Sequence, residues 1–373
     1  MGSMKTCSRC VMDDSHGKVD FDVNGICEFC RKFAEAQSQR SAKQSLDSLL
    51  AKIRQKKSRS GYHCLLGVSG GVDSSYLAFL CKKYEINPLL FHLDNGWNTS
   101  LAVSNIEIIC SKFNFDLVTY VIDWQEFRDI QRAFILGGLP NLEAPSDHAI
   151  FASLRKIARK HGITTILTGV NDATEQLTVS GKFGRDFRDG ELIRSVHRKH
   201  GSLPLRTFPL ETFWKRLVAK KVRPTRELSL LNYIHYNKQE AESELVRCIG
   251  YVPYPGKHGE SIMTRFNQYV YLPKKFGLDI RKIHYSNLIF SQQMTRQEAV
   301  RALQDPPLHD ELLREDTAFV LKKLGITEET FSQILAGKPG SYLEYHNSEK
   351  YEAVYDAFSQ GWLKLRGRLL GKN

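Results

Sequence analysis

The segment Ser69-Gly-Gly-Val-Asp-Ser-Ser75 has the residue types and the spacing of a loop that holds phosphate groups. Glycines let the backbone turn sharply, so that amide groups and the N-terminus of a following helix can face an anion. The serine hydroxyls would add donors. Asp73 would help to bind a divalent cation that bridges phosphates, unless it only caps the helix. The sequence lacks the Gly-Lys-Ser/Thr of a Walker A loop and any GxGxxG pattern. The expected anion-binding residues are Ser69, Gly70, Gly71, Val72, Asp73, Ser74 and Ser75.

The first thirty residues contain four of the eight cysteines, as two CxxC pairs with sixteen residues between them. This spacing is typical of a tetrahedral zinc site with four thiolate ligands. The segment between the pairs is too short to form its own core, so a structural Zn2+ would supply folding free energy. Two disulfides are the alternative, although nothing else in the sequence indicates an oxidising compartment. The expected metal ligands are Cys7, Cys10, Cys27 and Cys30.

Alternating strand and helix patterns follow the cysteine pairs and must position the loop. This alternation predicts an α/β fold with a doubly wound, Rossmann-like parallel sheet, in which ligands bind at the carboxyl ends of the strands. The strands are predicted over residues 62–68, 88–93, 117–122 and 163–168. The sequence further predicts a polar helix over 31–57, a loop-rich basic segment over 171–224 and helices from 292 onward, the first opened by a capping box at Thr295–Glu298.

The composition is ordinary for a folded protein, with 42% hydrophobic and 25% charged residues in a chain of 373. No apolar run approaches the roughly 18 residues of a membrane helix, and the N-terminus lacks a signal-peptide pattern. We therefore expect a cytoplasmic protein without membrane insertion. The formal net charge is +12, and the surplus is concentrated in the basic segment 182–226. Such a surplus suits an anionic partner, or belongs to a solvated loop.

The SGGVDSS loop between a strand and a helix resembles the signature of the pyrophosphatase-loop (PP-loop) ATP family. The resemblance implies that ATP and Mg2+ bind at this loop and that ATP is cleaved between the α- and β-phosphates. A carbonyl oxygen is then adenylylated, and a nucleophile displaces AMP. By the same resemblance, Leu93 and Asp94 lie near the adenosine, and Gly169 and Asn171 belong to the next turn that contacts the nucleotide.

Further motifs are similar to those of the N-acetyl sugar amidotransferases (WbpG type) of bacterial surface-polysaccharide biosynthesis, which includes lipopolysaccharide and O-antigen. They are Cys-Ser-Arg-Cys-Val-Met at 7–12 with the second CxxC, Leu-Asp-Asn-Gly-Trp-Asn at 93–98, and the blocks 254–267, 275–284 and 291–296. The likeness covers nearly the whole chain. Gly259 and Asn267 depart from the family pattern, and these departures concern the identity of the sugar more than the type of reaction.

This resemblance implies a ligase that converts the acetamido group of a nucleotide-linked or free N-acetyl sugar into an acetamidino group. ATP would activate the amide oxygen, and ammonia would displace AMP. No glutaminase motif is visible in the sequence, so the ammonia is expected from a separate glutaminase subunit. The basic segment or the C-terminal helices would provide the surface on which that subunit docks.

Several residues acquire expected roles from these motifs. Lys257 and Arg265 would neutralise phosphate charge in the transition state, or are surface charges. Glu260 would orient ammonia or accept its proton, or cap a helix. Trp97 would stack on a base or sugar, or belong to the core. The expected substrate contacts are Asp147, Glu175, His258, Ser261 and His284.

Two other functions stay open. A PP-loop enzyme that modifies tRNA, either a thiolase or a lysidine-type ligase, would suit the zinc knuckle and the basic segment. The four remaining cysteines are dispersed, however, and arginine–aromatic interleaving is sparse, so nucleic acid is not the expected partner. The third function, a zinc-ribbon nucleotide sensor or assembly factor without turnover, is disfavoured by the intact loop.

The expectations divide the chain into three parts. Residues 1–57 form a zinc-binding knuckle, or zinc ribbon, with a linker helix. Residues 58–230 form the PP-loop ATP-binding domain. Residues 231–373 form a substrate-contacting segment and a helical C-terminal region.

Overall fold

The computed structural model describes residues 5–16, 19–38, 45–56, 58–177, 187–222, 224–254 and 259–369. Its centre is one sheet of five parallel strands in the order β3-β2-β1-β4-β5. This sheet confirms the predicted α/β class, and the three-residue β5 is additional to the predicted strands. The strands are β1 (Cys64–Gly67), β2 (Pro88–Asp94), β3 (Leu117–Val121), β4 (Thr165–Leu167) and β5 (Arg226–Leu228).

Helices surround the sheet and form the C-terminal region. As far as β5 they are α1 (Glu28–Ser38), α2 (Leu46–Gln55), α3 (Val72–Lys83), α4 (Ser100–Phe113), α5 (Trp124–Leu136), α6 (Ala144–Lys160), α7 (Asp172–Glu175), α8 (Gly190–His200) and α9 (Phe213–Val222). After β5 they are α10 (Lys238–Ile249), α11 (Ile262–Phe266), α12 (Leu272–Phe276), α13 (Arg281–Phe290), α14 (Arg296–Ala302), α15 (Asp310–Leu324), α16 (Glu328–Ala336) and α17 (Glu349–Leu369). A π-helix (Asn267–Tyr271) joins α11 to α12.

Alternate side chains of the strands face two different cores. Leu65 and Ile166 pack with residues of α5, α6, α8 and α15 on one side of the sheet. Leu66 and Leu167 pack with residues of α2, α3, α4 and α10 on the other side. Because both faces are apolar, both must be covered by helices, which gives the doubly wound arrangement. From β1 the chain adds β2 and β3 on one side and then β4 and β5 on the other, so the loops after β1 and β4 meet at the switch point of the sheet.

Two predicted segments differ from the structure. The single helix expected over 31–57 is instead α1 and α2, and residues 39–44 lie outside the described part. The basic segment, predicted as loop-rich, contains α8 and α9. Asp189 caps α8 by accepting a hydrogen bond from Leu192 N at 2.9 Å, and Leu192, Ile193 and Val196 are buried. The charges of α8 therefore lie on one face of an amphipathic helix rather than in a solvated loop.

The N-terminal cysteines pack against the C-terminal region. Ile283 and Phe290 of α13 share a small core with all four cysteines, and Phe33 stacks on Phe290 with ring centroids 4.8 Å apart. Arg296 donates to the carbonyl oxygens of Cys10 and Cys7 at 3.2 and 3.3 Å. The predicted capping box is confirmed at the start of α14. The division into parts at residues 57 and 230 stays a prediction.

Among the described residues, no helix combines the length and the apolar character that a membrane span requires.

Candidate active site

The phosphate loop, residues 69–75, joins β1 to α3 and is shaped by its own hydrogen bonds. Ser69 N donates to Ser74 Oγ at 3.2 Å, and Ser74 Oγ donates to Gly71 O at 3.2 Å. Gly70 has a φ of +80°, and a Cβ at this position would lie 2.3 Å from the carbonyl oxygen of Ala102 in α4. Only glycine therefore permits this close approach of α4 to the loop. Val72 and Ser75 are buried in the first turn of α3.

The turn after β4 lies directly against this loop. A Cβ on Gly169 would be 2.9 Å from Ser74 N, so the absence of a side chain allows the two backbones to touch. Asn171 Nδ2 donates to Gly169 O at 3.2 Å, and Asn171 Oδ1 accepts from Thr174 N at 2.9 Å. The structure thus brings Gly169 against the phosphate loop, with Asn171 bonded to Gly169. Their contact with a nucleotide stays a prediction.

The buried phenol of Tyr236 contacts Asp73 and lies within the electrostatic influence of Glu175. The hydroxyl of Tyr236 donates to Asp73 Oδ1. Burial, the negative charge of Asp73 and then that of Glu175 raise the pKa of Tyr236 far above its ordinary value, so the phenol stays protonated. Asp73 lies in the first turn of α3 and Glu175 is the last residue of α7, and the charges of both act on the same phenol. Carboxylate oxygens are the ligands that Mg2+ prefers, so each side chain has the chemistry of a ligand for a divalent cation.

Glu260 and Tyr254 lie over the phosphate loop. A Cβ on Gly71 would be 3.0 Å from Glu260 Oε1 and 2.8 Å from Tyr254 Oη. Burial and the charge of Glu260 raise the pKa of Tyr254 above its ordinary range. Tyr251 Oη donates to Gly70 O at 3.1 Å. A carboxylate and two protonated phenols thus converge on the glycines of the loop.

The segment carrying Glu260 is paired with the chain that follows β2. Thr99 N donates to Glu260 O at 2.9 Å, and Ile262 N donates to Trp97 O at 3.0 Å. Between them, Asn98 and Ser261 form an isolated antiparallel bridge. The hydroxyl of Ser261 accepts from Thr264 N at 3.3 Å and so caps α11.

Arg265 is engaged by its own chain. Its Nε and Nη2 donate to the two carboxylate oxygens of Asp316 at 2.8 and 2.7 Å, and its Nη1 donates to Gly259 O at 2.9 Å. Both charged side chains are buried. These contacts direct the guanidinium of Arg265 toward Asp316 and the backbone of Gly259.

At the end of β2, Asp94 Oδ1 accepts from Gly96 N at 3.0 Å, while the Leu93 side chain is buried in the core. Trp97 is also in the core, where its Nε1 donates to Gln131 Oε1 at 2.5 Å. His92 Nδ1 lies 3.0 Å from Val68 O and its Nε2 lies 3.2 Å from Asn98 Nδ2. Burial lowers the pKa of His92, so a neutral ring that donates to Val68 O and accepts from Asn98 fits both contacts.

The other predicted residues are more scattered. Asp147 is half-buried in the first turn of α6, and His284 is half-buried in the first turn of α13. Lys257 and His258 lie outside the described residues. The phenols Tyr236, Tyr251 and Tyr254 were absent from the predicted site. Two of them could have been found from the sequence, because Tyr254 is the first residue of block 254–267 and Tyr251 lies three residues before it.

The four paired cysteines form a compact sulfur cluster. Their Sγ atoms all lie within 4.8 Å of one another, with Cys7 and Cys30 3.8 Å apart and Cys10 and Cys27 3.6 Å apart. Cys7 Sγ accepts hydrogen bonds from the amides of Arg9, Cys10 and Cys27. This cluster fits a metal ion held by thiolates.

Part of the chain matches a known protein family. Residues 260–358 match the family described as "LPS biosynthesis protein WbpG-like, C-terminal domain". The match confirms the resemblance to the WbpG type over these residues. It begins at Glu260, the carboxylate over the phosphate loop.

Other similarities cover larger shares of the chain. An uncharacterized protein, MJ1599 of Methanocaldococcus jannaschii, is 25% identical over 166 residues, which are 44% of this chain and 58% of that relative. An NH3-dependent NAD synthetase from Campylobacter jejuni is 14% identical, covering 80% of this chain and 97% of that structure with a TM-score of 0.30. The U34-tRNA thiolase NcsA from Methanococcus maripaludis, with its [4Fe-4S] cluster, is 16% identical, covering 66% and 83% with a TM-score of 0.23.

Proposed function

We propose that the chain is an ATP-dependent amidotransferase acting on an N-acetyl sugar, because residues 260–358 match a WbpG-like C-terminal domain and the first of these residues lies over the phosphate loop. The observation that carries this proposal is the position of Glu260 Oε1, 3.0 Å from where a Cβ on Gly71 would lie. A carboxylate from the segment that matches the family thus lies beside the glycines of the phosphate loop.

In the proposed reaction, the acetamido oxygen of the sugar attacks the α-phosphorus of ATP. The bond between that phosphorus and the oxygen bridging to the β-phosphate breaks, and pyrophosphate leaves. Ammonia then adds to the activated carbon, AMP leaves with the former amide oxygen, and loss of a proton leaves an acetamidino group. The amide oxygen is a poor leaving group by itself, so adenylylation makes its displacement possible.

The chain offers groups for each task. Loop amides and the N-terminus of α3 would bind the phosphates, with the adenosine near Asp94, Gly169 and Asn171. Asp73 and Glu175 would hold Mg2+, which when bound neutralises the leaving pyrophosphate. Glu260 would orient ammonia or accept its proton, since proton removal must accompany C–N bond formation. Lys257 would neutralise phosphate charge in the transition state. The remaining proposed substrate contacts are Asp147, His258, Ser261 and His284.

We propose that the ammonia comes from a separate glutaminase subunit in the cell. An ammonium salt replaces this partner in an assay, so activity of the isolated chain does not depend on identifying it.

The cysteine cluster fits a single structural zinc ion. A tetrahedral ion with Zn–S bonds of about 2.3 Å holds its sulfurs about 3.8 Å apart, close to the 3.6 and 3.8 Å distances found here. A four-iron cluster would place four metal ions between the sulfurs and separate them further. Elemental analysis that finds one zinc per chain and no iron supports this assignment, and four irons per chain would overturn it.

A tRNA-modifying enzyme is the second candidate, because α9 presents Lys215, Lys220 and Lys221 to solvent without an intervening acidic residue. Such a stripe could contact a phosphate backbone. The same basic charge would also suit an acidic protein surface.

One experiment separates the two candidates. The protein is incubated with Mg-ATP, ammonium chloride and either a panel of nucleotide-linked N-acetyl sugars or bulk tRNA, and the products are identified by mass spectrometry. A sugar in which NH replaces one oxygen, formed together with AMP and pyrophosphate, supports the amidotransferase. AMP formation that requires tRNA would refute it. Asp73→Asn should abolish the reaction, whereas Asp116→Asn, which removes the carboxylate bonded to Tyr62, should preserve it.

A further inference from the structure

The ion pair between Arg265 of α11 and Asp316 of α15 is a fixed two-pronged contact. Two parallel hydrogen bonds, at 2.8 and 2.7 Å, join the guanidinium to the carboxylate. The side chains are only 10% and 5% exposed. This geometry fixes the plane of the guanidinium, and not only its distance from the carboxylate.

The third nitrogen of the same guanidinium reaches the active site. Arg265 Nη1 donates to Gly259 O at 2.9 Å, one residue before Glu260. The carbonyl oxygen of Glu260 itself accepts a hydrogen bond from Thr99 N at 2.9 Å. The backbone of Glu260 is therefore held from both directions while its carboxylate lies over Gly71.

Net stabilisation alone is a weak explanation for this pair. Burying two charges costs desolvation free energy that their attraction often only offsets, so an apolar pair of similar volume can be equally stable. What an apolar pair cannot supply is a donor for Gly259 O at a fixed angle. The buried pair thus gives the Glu260 segment a defined position, whatever its net effect on the free energy of unfolding.

We infer that Asp316 is a positioning residue that acts through Arg265 on Glu260. Its catalytic consequence rests on the proposed function. The inference also assigns Arg265 to holding Gly259 in place of the predicted contact with phosphate. Asp316 and Glu260 are 56 positions apart in the sequence, so the C-terminal helices would contribute to the phosphate site without touching a ligand.

The positional part of the inference can be tested without any activity. Hydrogen exchange is measured by mass spectrometry in the wild type, Asp316→Asn and Glu211→Gln. The last is a matched control, since Glu211 pairs with Arg155 at 2.7 Å and their side chains are 12% and 11% exposed.

We expect Asp316→Asn to speed exchange in peptides covering 97–103 and 259–266, and Glu211→Gln to leave those peptides unchanged. Unchanged exchange there in Asp316→Asn would overturn the inference. If Asp316→Asn does not fold, Arg265→Lys, which keeps the charge but loses the fork, takes its place.

The catalytic part is tested by a double-mutant cycle with Glu260→Gln. Misplacing a reacting group by about 1 Å can cost about 100-fold in rate, so Asp316→Asn should lower ammonium-dependent AMP release by about 10- to 100-fold. In the Glu260→Gln background, the same change should have little further effect on the rate. Equal effects in both backgrounds would show that Asp316 does not act through Glu260. If the wild type forms no amidino sugar, the proposed function fails, while the exchange result still decides whether Asp316 positions the segment.

Discussion

The side-chain amide of Asn287 forms hydrogen bonds with both the main-chain N–H and the main-chain carbonyl of Leu177. Asn287 Nδ2 donates to Leu177 O at 3.1 Å, and Asn287 Oδ1 accepts from Leu177 N at 2.8 Å. Asn287 is buried on α13, the helix that packs against the four cysteines. Leu177 follows Glu175 by two residues. Helix α13 therefore links the proposed metal centre to the turn that carries a proposed cation ligand.

Replacing Asn287 by leucine keeps the branched shape and the number of side-chain heavy atoms but removes both hydrogen bonds. We expect the free energy of unfolding to fall by about 1–3 kcal/mol, because the Leu177 amide and carbonyl lose their partners. We also expect weaker Mg2+-dependent binding of an ATP analogue, since Glu175 would no longer be held in position. Urea denaturation and isothermal titration calorimetry measure these two effects.

The control for this variant is Ser286→Ala on the same helix. Ser286 Oγ is buried without a hydrogen-bond partner among the residues that the structure describes, so its removal should be nearly neutral. A less stable Asn287→Leu protein that binds Mg2+ and nucleotide with unchanged affinity would contradict the link to Glu175.

Gly169→Ala should damage nucleotide binding. The added Cβ would lie 2.9 Å from Ser74 N and 3.2 Å from the carbonyl carbon of Asp73. These are backbone atoms of the phosphate loop, so the loop itself must shift. We expect an overpacking cost of about 1–3 kcal/mol in stability and a decrease of about tenfold in ATP-analogue affinity, which corresponds to about 1.4 kcal/mol.

Gly67→Ala is the matched control for this loop variant. Gly67 lies in β1, and a Cβ there would meet only the side chain of Leu154, at 3.5 Å. That is an ordinary contact, so both stability and affinity should change little. Normal affinity in Gly169→Ala would show that the β4 turn and the loop do not need their close approach.

The phosphate loop and the cysteine pairs could be predicted because each is a local pattern. A glycine-rich turn before a helix and two CxxC pairs can each be recognised from residues that are close together in the sequence. The contacts that hold Glu260 are not local. Asp316 lies 51 positions from Arg265, and the sequence contains no spacing that relates them.

The basic segment shows a different limit. Its charge suggested a solvated loop, yet Leu192, Ile193 and Val196 had the spacing of a buried helix face. Three buried positions outweighed the many charged ones, because charged residues are tolerated on the exposed face of any helix. Tyr236 was missed for a related reason. Its partner, Asp73, is 163 positions away and meets it only after the sheet has formed.

Stability should fall as the pH decreases from 6.5 toward 4, and His148 should account for a defined part of the loss. His148 Nδ1 lies 2.8 Å from Phe187 O, and Nε2 accepts from Glu211 N at 2.9 Å, so the buried ring is neutral. Burial lowers its pKa from 6.5 to about 4. Because the folded pKa lies below the unfolded one, this stability is fully present above pH 6.5 and is lost as the unfolded chain alone takes up the proton.

The expected loss is about 1.4 kcal/mol per pH unit, or about 3 kcal/mol over the whole interval. His148→Gln should be less stable at pH 7, and its stability should depend less steeply on pH between 6.5 and 4. Urea denaturation at several pH values measures both slopes. His161→Gln, at the C-terminal end of the same helix, serves as the control. Identical slopes in His148→Gln and the wild type would show that His148 is not the group that titrates.

Loss of the metal should destabilise the C-terminal region as well as the N-terminus. Cys27 Sγ lies 3.6 Å from Cys10 Sγ, and Ile283 and Phe290 pack against the cluster. With three thiolates left in Cys27→Ser, we expect less than one zinc per chain, a lower thermal midpoint and faster hydrogen exchange in α13. A chelator should produce the same changes in the wild type. Cys248→Ser, which alters an exposed cysteine outside the cluster, should keep full zinc content and the wild-type midpoint. Full metal occupancy in Cys27→Ser would rule out the four-thiolate site, and unchanged exchange in α13 after metal loss would rule out its link to the C-terminal helices.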